Sequence, residues 1–148
     1  ICKANIWRSQ IAEAIYNNMY KNKAISIAWC EARKEKYNGI PSQDIFELLK
    51  EKGIDISKQK ITYISDIDLG ILYKVKRIIF LYNPLDESKV DKNCIIESKS
   101  VYEYLNWYFW SKVIIYGIKD PYNVWKLELN KIFQILMLLL YLHYQYYY

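Results

Sequence analysis

The stretch Cys2-Lys-Ala-Asn-Ile-Trp-Arg8-Ser9-Gln10 runs straight into Ile11-Ala-Glu-Ala-Ile-Tyr16, and its reading decides the fold. It sets a thiol, five loop residues, an arginine and a hydroxyl in front of an amphipathic helix. A helix start carries unpaired backbone N–H groups and the positive end of the macrodipole, so a tetrahedral oxyanion settles there. Arg8 adds a planar fork of donors that grips two oxygens of one phosphate at once. The same field favours the thiolate of Cys2, which is the form that attacks. Ser9 is placed to donate a hydrogen bond to that sulfur. One short segment thus combines nucleophile, anion cradle and activator.

Outward from it, a first helix is expected from about Ser9 to Lys21, with Ile11, Ile15 and Met19 one above another and Ala12 and Tyr16 beside them as a buried stripe. Ala24–Trp29 alternates like a strand, and Cys30 after it reads as a buried thiol without a chemical role. Glu31–Gly39 is charged and polar, a loop in which Tyr37 either walls a substrate pocket or is an ordinary exposed aromatic. Ser42 is expected to cap a second helix through Lys52, with Ile45, Phe46, Leu48 and Leu49 inward and Gly53 as the left-handed residue that ends it. Ser65-Asp-Ile-Asp68 has capping-box character and predicts a short third helix. Arg77–Tyr82 is a continuous apolar run, as in a parallel strand covered on both faces. Pro84–Ser111 gives little, apart from the aromatic cluster Val101–Trp110, read as sheet-edge packing or a partner patch. Val113–Tyr116 is the last strand. A long helix is expected from Asn123 towards Tyr141, with Leu129, Ile132, Phe133, Leu136, Met137 and Leu140 on its apolar face. Its unbroken stretch Ile135–Leu142 falls short of the roughly 20 residues a membrane span needs.

Cys-x5-Arg-Ser followed by Ile-Ala-Glu-Ala resembles the phosphate-binding loop and first helix of low-molecular-weight protein tyrosine phosphatases and of the arsenate reductases that share their fold. Lys52-Gly-Ile-Asp-Ile-Ser-Lys-Gln-Lys60 resembles the segment after the family's second helix. Gly117-Ile-Lys-Asp120-Pro121-Tyr122, after the last strand, resembles the loop that carries the family's general acid. Two positions depart from the pattern: Ala4 stands where the family often has Gly, and Trp7 where it has a small residue or Cys. The family also delivers the chain to the nucleophile on an apolar strand, and here only Ile1 precedes Cys2, so a single domain over 1–148 with its first strand missing is expected.

The resemblance implies an α/β fold, an open parallel sheet with helices on both faces, and ligands beyond the carboxyl ends of the strands. It implies catalysis by Cys2, Arg8 and Asp120, with Ala4, Asn5, Ile6, Trp7 and Ser9 forming or supporting the phosphate loop and Tyr37 and Tyr122 lining the substrate slot. The implied reaction is hydrolysis of phosphotyrosine on proteins or of a small aryl phosphate, without metal or cofactor. Arsenate reduction at the same loop is the alternative, with Cys94 as the one candidate resolving thiol. A non-catalytic phosphate-binding or scaffold domain is the third reading, motivated by Trp7 and the missing strand.

Composition bounds these readings. A chain of 148 residues, 53% hydrophobic, suits one domain with a substantial core. The net charge of +5 is spread over Lys34, Lys36, Lys50, Lys52, Lys58 and Lys60 among acidic residues. This is a solvated surface rather than a nucleic-acid stripe. Three cysteines without ligand spacing and a lone His143 leave a zinc site and a Cys-His pair poorly supported. A thiolate nucleophile suits a reducing compartment, so cytoplasm is expected, without nucleic-acid or membrane partners. The oligomeric state is left open.

Overall fold

A parallel row of short backbone segments carries the site. The computed structural model describes residues 1–21, 24–30, 38–81, 113–115 and 133–142, and the statements below concern these. The elements are α1 (Arg8–Tyr20), α2 (Gln43–Glu51), a 3-10 turn (Ile64–Asp66), α3 (Leu69–Lys74), β1 (Ile78–Phe80), β2 (Val113–Ile115) and a helix over 133–142, α4.

β1 and β2 pair in parallel, with Ile78 opposite Val113 and Phe80 opposite Ile115. Three further segments extend the row through single bridges. Cys2 bridges Ala28, and Ala28 bridges Tyr63, both in parallel. The Cys2 amide donates to the Ile27 carbonyl at 3.2 Å, and the Trp29 amide donates to the Cys2 carbonyl at 3.0 Å. On the other side the Ile1 nitrogen donates to the Ile79 carbonyl, and the Leu81 amide donates to the Ile1 carbonyl at 2.8 Å. This is the slanted pattern of a parallel ladder. The order across the row is therefore 62–64, 27–29, 1–2, β1, β2, with Ile1 and Cys2 in the middle.

Alternation along β1 shows how the row is covered. Ile78 and Phe80 point into a cluster with Ile27, Trp29 and Ile64, flanked by Ile67 and Val75. Ile79 and Leu81 point to the opposite face, with Cys2, Ile11, Ile15, Leu48, Leu49, Leu136 and Leu140. Helices α1, α2 and α4 thus share one face, and the 3-10 turn with the segment up to α3 takes the other. Burial on both faces explains why Ile78–Leu81 carries no polar alternation. Trp29 meets Phe80 edge to face, with centroids 5.1 Å apart.

The expected stripe of α1 is present: Ile11 and Ile15 are buried, with Met19, Ala12 and Tyr16 packed against the same core. Ile45, Leu48 and Leu49 of α2 are buried, and Phe46 is partly so. Gly53 follows α2 with φ 73°, the left-handed position that glycine takes without penalty. On α4, Leu136 and Leu140 are buried, and Phe133 and Met137 pack against them. No helix among the described residues is long and apolar enough to cross a membrane.

Three local expectations are corrected. Residues 26–30 are buried without alternation, because their neighbours on both sides turn the segment into an interior one. Ser42 precedes α2 but makes no capping bond to its backbone; its hydroxyl donates to Asp44 Oδ2 at 3.1 Å instead. The cap of α3 is Asp68, whose Oδ1 accepts from the Gly70 amide at 2.8 Å. The capping-box reading at Ser65 placed the helix start too early, because Ile64–Asp66 closes a separate 3-10 turn first.

Candidate active site

Cys2 lies in the middle of the row, and the chain turns there into the loop Lys3–Trp7 before α1 begins at Arg8. The C-terminal edges of the neighbouring segments converge on it. The Cys30 amide donates to the Lys3 carbonyl at 2.9 Å, and Arg8 Nη1 donates to the Leu81 carbonyl at 3.1 Å. The loop, the arginine and the end of β1 are thus gathered where ligands bind in open α/β sheets.

Asn5 makes the loop possible. Its φ of 53° is left-handed, a conformation Asn tolerates better than most residues. In that turn its amide donates to Cys2 Sγ at 3.2 Å. Ser9 Oγ lies 2.8 Å from the same sulfur. Two hydrogen-bonding groups therefore meet the sulfur. The Asn5 side chain is fully buried and fully used. Its Nδ2 donates to Ser9 Oγ and to Ser26 Oγ, each at 2.7 Å. Its Oδ1 accepts from Gln10 Nε2 at 2.9 Å and from the Thr62 amide at 3.0 Å. Gln10 is held in turn by the Lys60 carbonyl and by Gln59 Nε2.

No side chain caps the start of α1. Its first residue, Arg8, is buried at 4% exposure. Ile6 is buried between Ala28, Ile61 and Tyr63, with Ala4 and Trp7 packed against that cluster. Trp7 sits between this cluster and the main core, and its buried Nε1 has no hydrogen-bond partner.

Glu13, one turn further along α1, accepts from the Ser26 amide at 2.9 Å and from Ser26 Oγ at 2.6 Å through one oxygen. Burial pushes its carboxyl above the usual carboxylate range, and the two Ser26 bonds pull part of the way back.

The structure brings together Cys2, Ala4, Asn5, Ile6, Trp7, Arg8 and Ser9 from the sequence-derived set. Tyr37, Cys94, Asp120 and Tyr122 lie outside the described residues. Cys30 is corrected: it is buried but held in a disulfide rather than free, a pairing that depends on approach in space. Among the described residues no group of His, Cys, Asp and Glu is arranged to hold a metal. Ser26, Gln10, Gln59 and Thr62 were missed as partners of the loop, since they come from three separate segments. Only the left-handed tolerance of Asn5 hinted that its side chain faced inward.

A sequence model of the family described as low molecular weight phosphotyrosine protein phosphatase matches residues 1–138. The chain belongs to that family. Solved structures agree on the fold. A Vibrio vulnificus Wzb in complex with benzylphosphonate is 14% identical, with TM-score 0.65 over 92% of this chain and 88% of its own. A low molecular weight protein tyrosine phosphatase from T. tengcongensis is 21% identical, with TM-score 0.63 and coverage of 92% and 88%. An arsenate reductase from Archaeoglobus fulgidus is 19% identical, with TM-score 0.58 and coverage of 92% and 89%. No curated protein matches the chain. The open parallel sheet with helices on both faces is that of the low-molecular-weight phosphatases.

Proposed function

We propose that the protein hydrolyses phosphotyrosine or small aryl phosphates through a cysteinyl-phosphate intermediate. The observation that carries this is the Cys2 sulfur held by the Asn5 amide and the Ser9 hydroxyl at the uncapped start of α1. Cys2 Sγ attacks phosphorus in line, and the bond to the aryl oxygen breaks. Arg8 and the loop amides hold the equatorial oxygens and stabilise the charge of the transition state. Asp120 supplies the proton to the departing phenolate. Water then attacks phosphorus, the S–P bond breaks, Asp120 takes up the water proton, and Ser9 stabilises the released thiolate. The neighbour bound to benzylphosphonate supports an aryl phosphate as the guest. Tyr37 and Tyr122 are assigned the substrate slot by resemblance to the family.

The test is hydrolysis of p-nitrophenyl phosphate by the chain and by Cys2→Ser. The expected result is turnover that the substitution abolishes, with phosphate trapped on Cys2 in rapid-quench experiments. Turnover that survives in Cys2→Ser overturns the reading.

Arsenate reduction is the second reading, favoured by the arsenate reductase among the structural neighbours. Two thiols must supply its two electrons. Cys2 is one, and an external thiol such as glutathione supplies the other. Arsenate turnover that requires added glutathione, beside aryl-phosphate hydrolysis that does not, separates the two reactions.

A further inference from the structure

The hydrogen-bond chain around Cys2 has a direction, and following it leads away from the loop. The Thr62 amide can only donate, so the Asn5 atom facing it at 3.0 Å is the carbonyl oxygen. The Asn5 Nδ2 then spends one hydrogen on Ser9 Oγ and one on Ser26 Oγ. Each serine hydroxyl owns a single hydrogen. Ser26 accepts from Asn5, so its own hydrogen goes to Glu13 Oε2 at 2.6 Å. Ser9 likewise accepts from Asn5, so its hydrogen is aimed at Cys2 Sγ at 2.8 Å. The chain begins at a carboxylate and ends at the nucleophile. Glu13 and Ser26 also line a cavity of about 600 Å³, together with Asn17, Lys58, Lys60 and Thr62, and no residue of the Cys2–Ser9 loop is in its wall.

We propose that Glu13 is a positioning residue for Cys2: by fixing Ser26, and through it Asn5, it directs the Ser9 hydroxyl at the sulfur. Without the carboxylate, both Ser26 donors lose their acceptor. The Ser26 oxygen is then no longer fixed against Asn5, and the Ser9 contact loosens.

The inference rests on Cys2 as the nucleophile, but its test reads the sulfur directly and needs no turnover. Cys2 is alkylated with iodoacetamide at pH 6 and pH 9, and the modified peptide is followed by mass spectrometry. Glu13→Ala and Ser26→Ala are each expected to slow the reaction about tenfold at pH 6, the scale of one hydrogen bond to a charged group. At pH 9 the same order of reactivities is expected with smaller differences. Glu13→Gln keeps an oxygen for both Ser26 donors and recovers more than half of the loss on a logarithmic scale. Added to Ser9→Ala, Glu13→Ala slows the reaction no further, because its path to the sulfur is already cut. Should Glu13→Ala fail to fold, Ser26→Ala carries the same expectation. Alkylation at pH 6 that is unchanged or faster in these variants overturns the proposal, as does a further tenfold loss on top of Ser9→Ala. Absence of phosphatase turnover with the alkylation pattern intact overturns the functional reading alone.

Discussion

Replacing Asn5 by alanine removes the loop's main internal support, and its cost can be worked from the contacts. Ser9, Ser26 and Gln10 each keep a second partner, namely Cys2, Glu13 and the Lys60 carbonyl. For the Thr62 amide, Asn5 Oδ1 is the acceptor within 3.0 Å, and an amide left without one in a partly buried site costs about 1–3 kcal/mol. The three weakened bonds add about 0.5 kcal/mol each, the low end for a net hydrogen bond. A Cβ-bearing residue other than Asn at φ 53° costs about 1 kcal/mol more. The sum is about 3.5–5.5 kcal/mol, a large share of a typical domain's stability of about 5–15 kcal/mol. Urea unfolding followed by circular dichroism measures it. With a slope near 2 kcal/mol/M, the midpoint falls by about 2–3 M. Asn5→Gly loses the same hydrogen bonds but relieves the backbone, so it is expected to be more stable than Asn5→Ala by about 1 kcal/mol. Asn5→Ala within about 1 kcal/mol of the parent, or Asn5→Gly below Asn5→Ala, refutes the reasoning.

Two further outcomes are expected. Gly53→Ala places a side chain at φ 73° with nothing within 4 Å of the new Cβ, so only backbone strain of about 1 kcal/mol is felt. For a chain of this size that lowers the melting temperature by about 2–4 °C in a calorimetric scan. Glu13 is held above its ordinary value by burial, so the folded state keeps its proton more firmly than the unfolded one. Stability therefore falls as pH rises from the unfolded value of 4.5 through the raised folded one, and it levels off above that. Glu13→Gln, compared with the parent by urea midpoints across this range, lacks the decline. A parent that gains stability over that interval relative to the variant overturns the assignment.

The loop was legible because its chemistry is local. A left-handed Asn, a helix start without a cap and a serine one turn from the thiol are all set within nine residues. The parallel segment at β1 was legible too, since burial on both faces leaves no polar alternation. The N-terminal caps were not, for Ser42 and Ser65 had competing short-range partners or turns that sequence spacing cannot rank, whereas Gly53 after α2 was. Cys30 was read as a free thiol because nothing in a linear chain says which sulfurs meet.

By itself the sequence determined the family. The run from Cys2 through the start of the first helix carries that reading, because residue types and their spacing within about ten positions suffice for it. The tertiary structure alone decided what holds that loop in shape. Ser26, Thr62, Lys60 and Gln59 arrive from distant segments through parallel pairing and packing. A buried amide side chain such as Asn5 takes whatever donors and acceptors the fold brings within 3 Å of it.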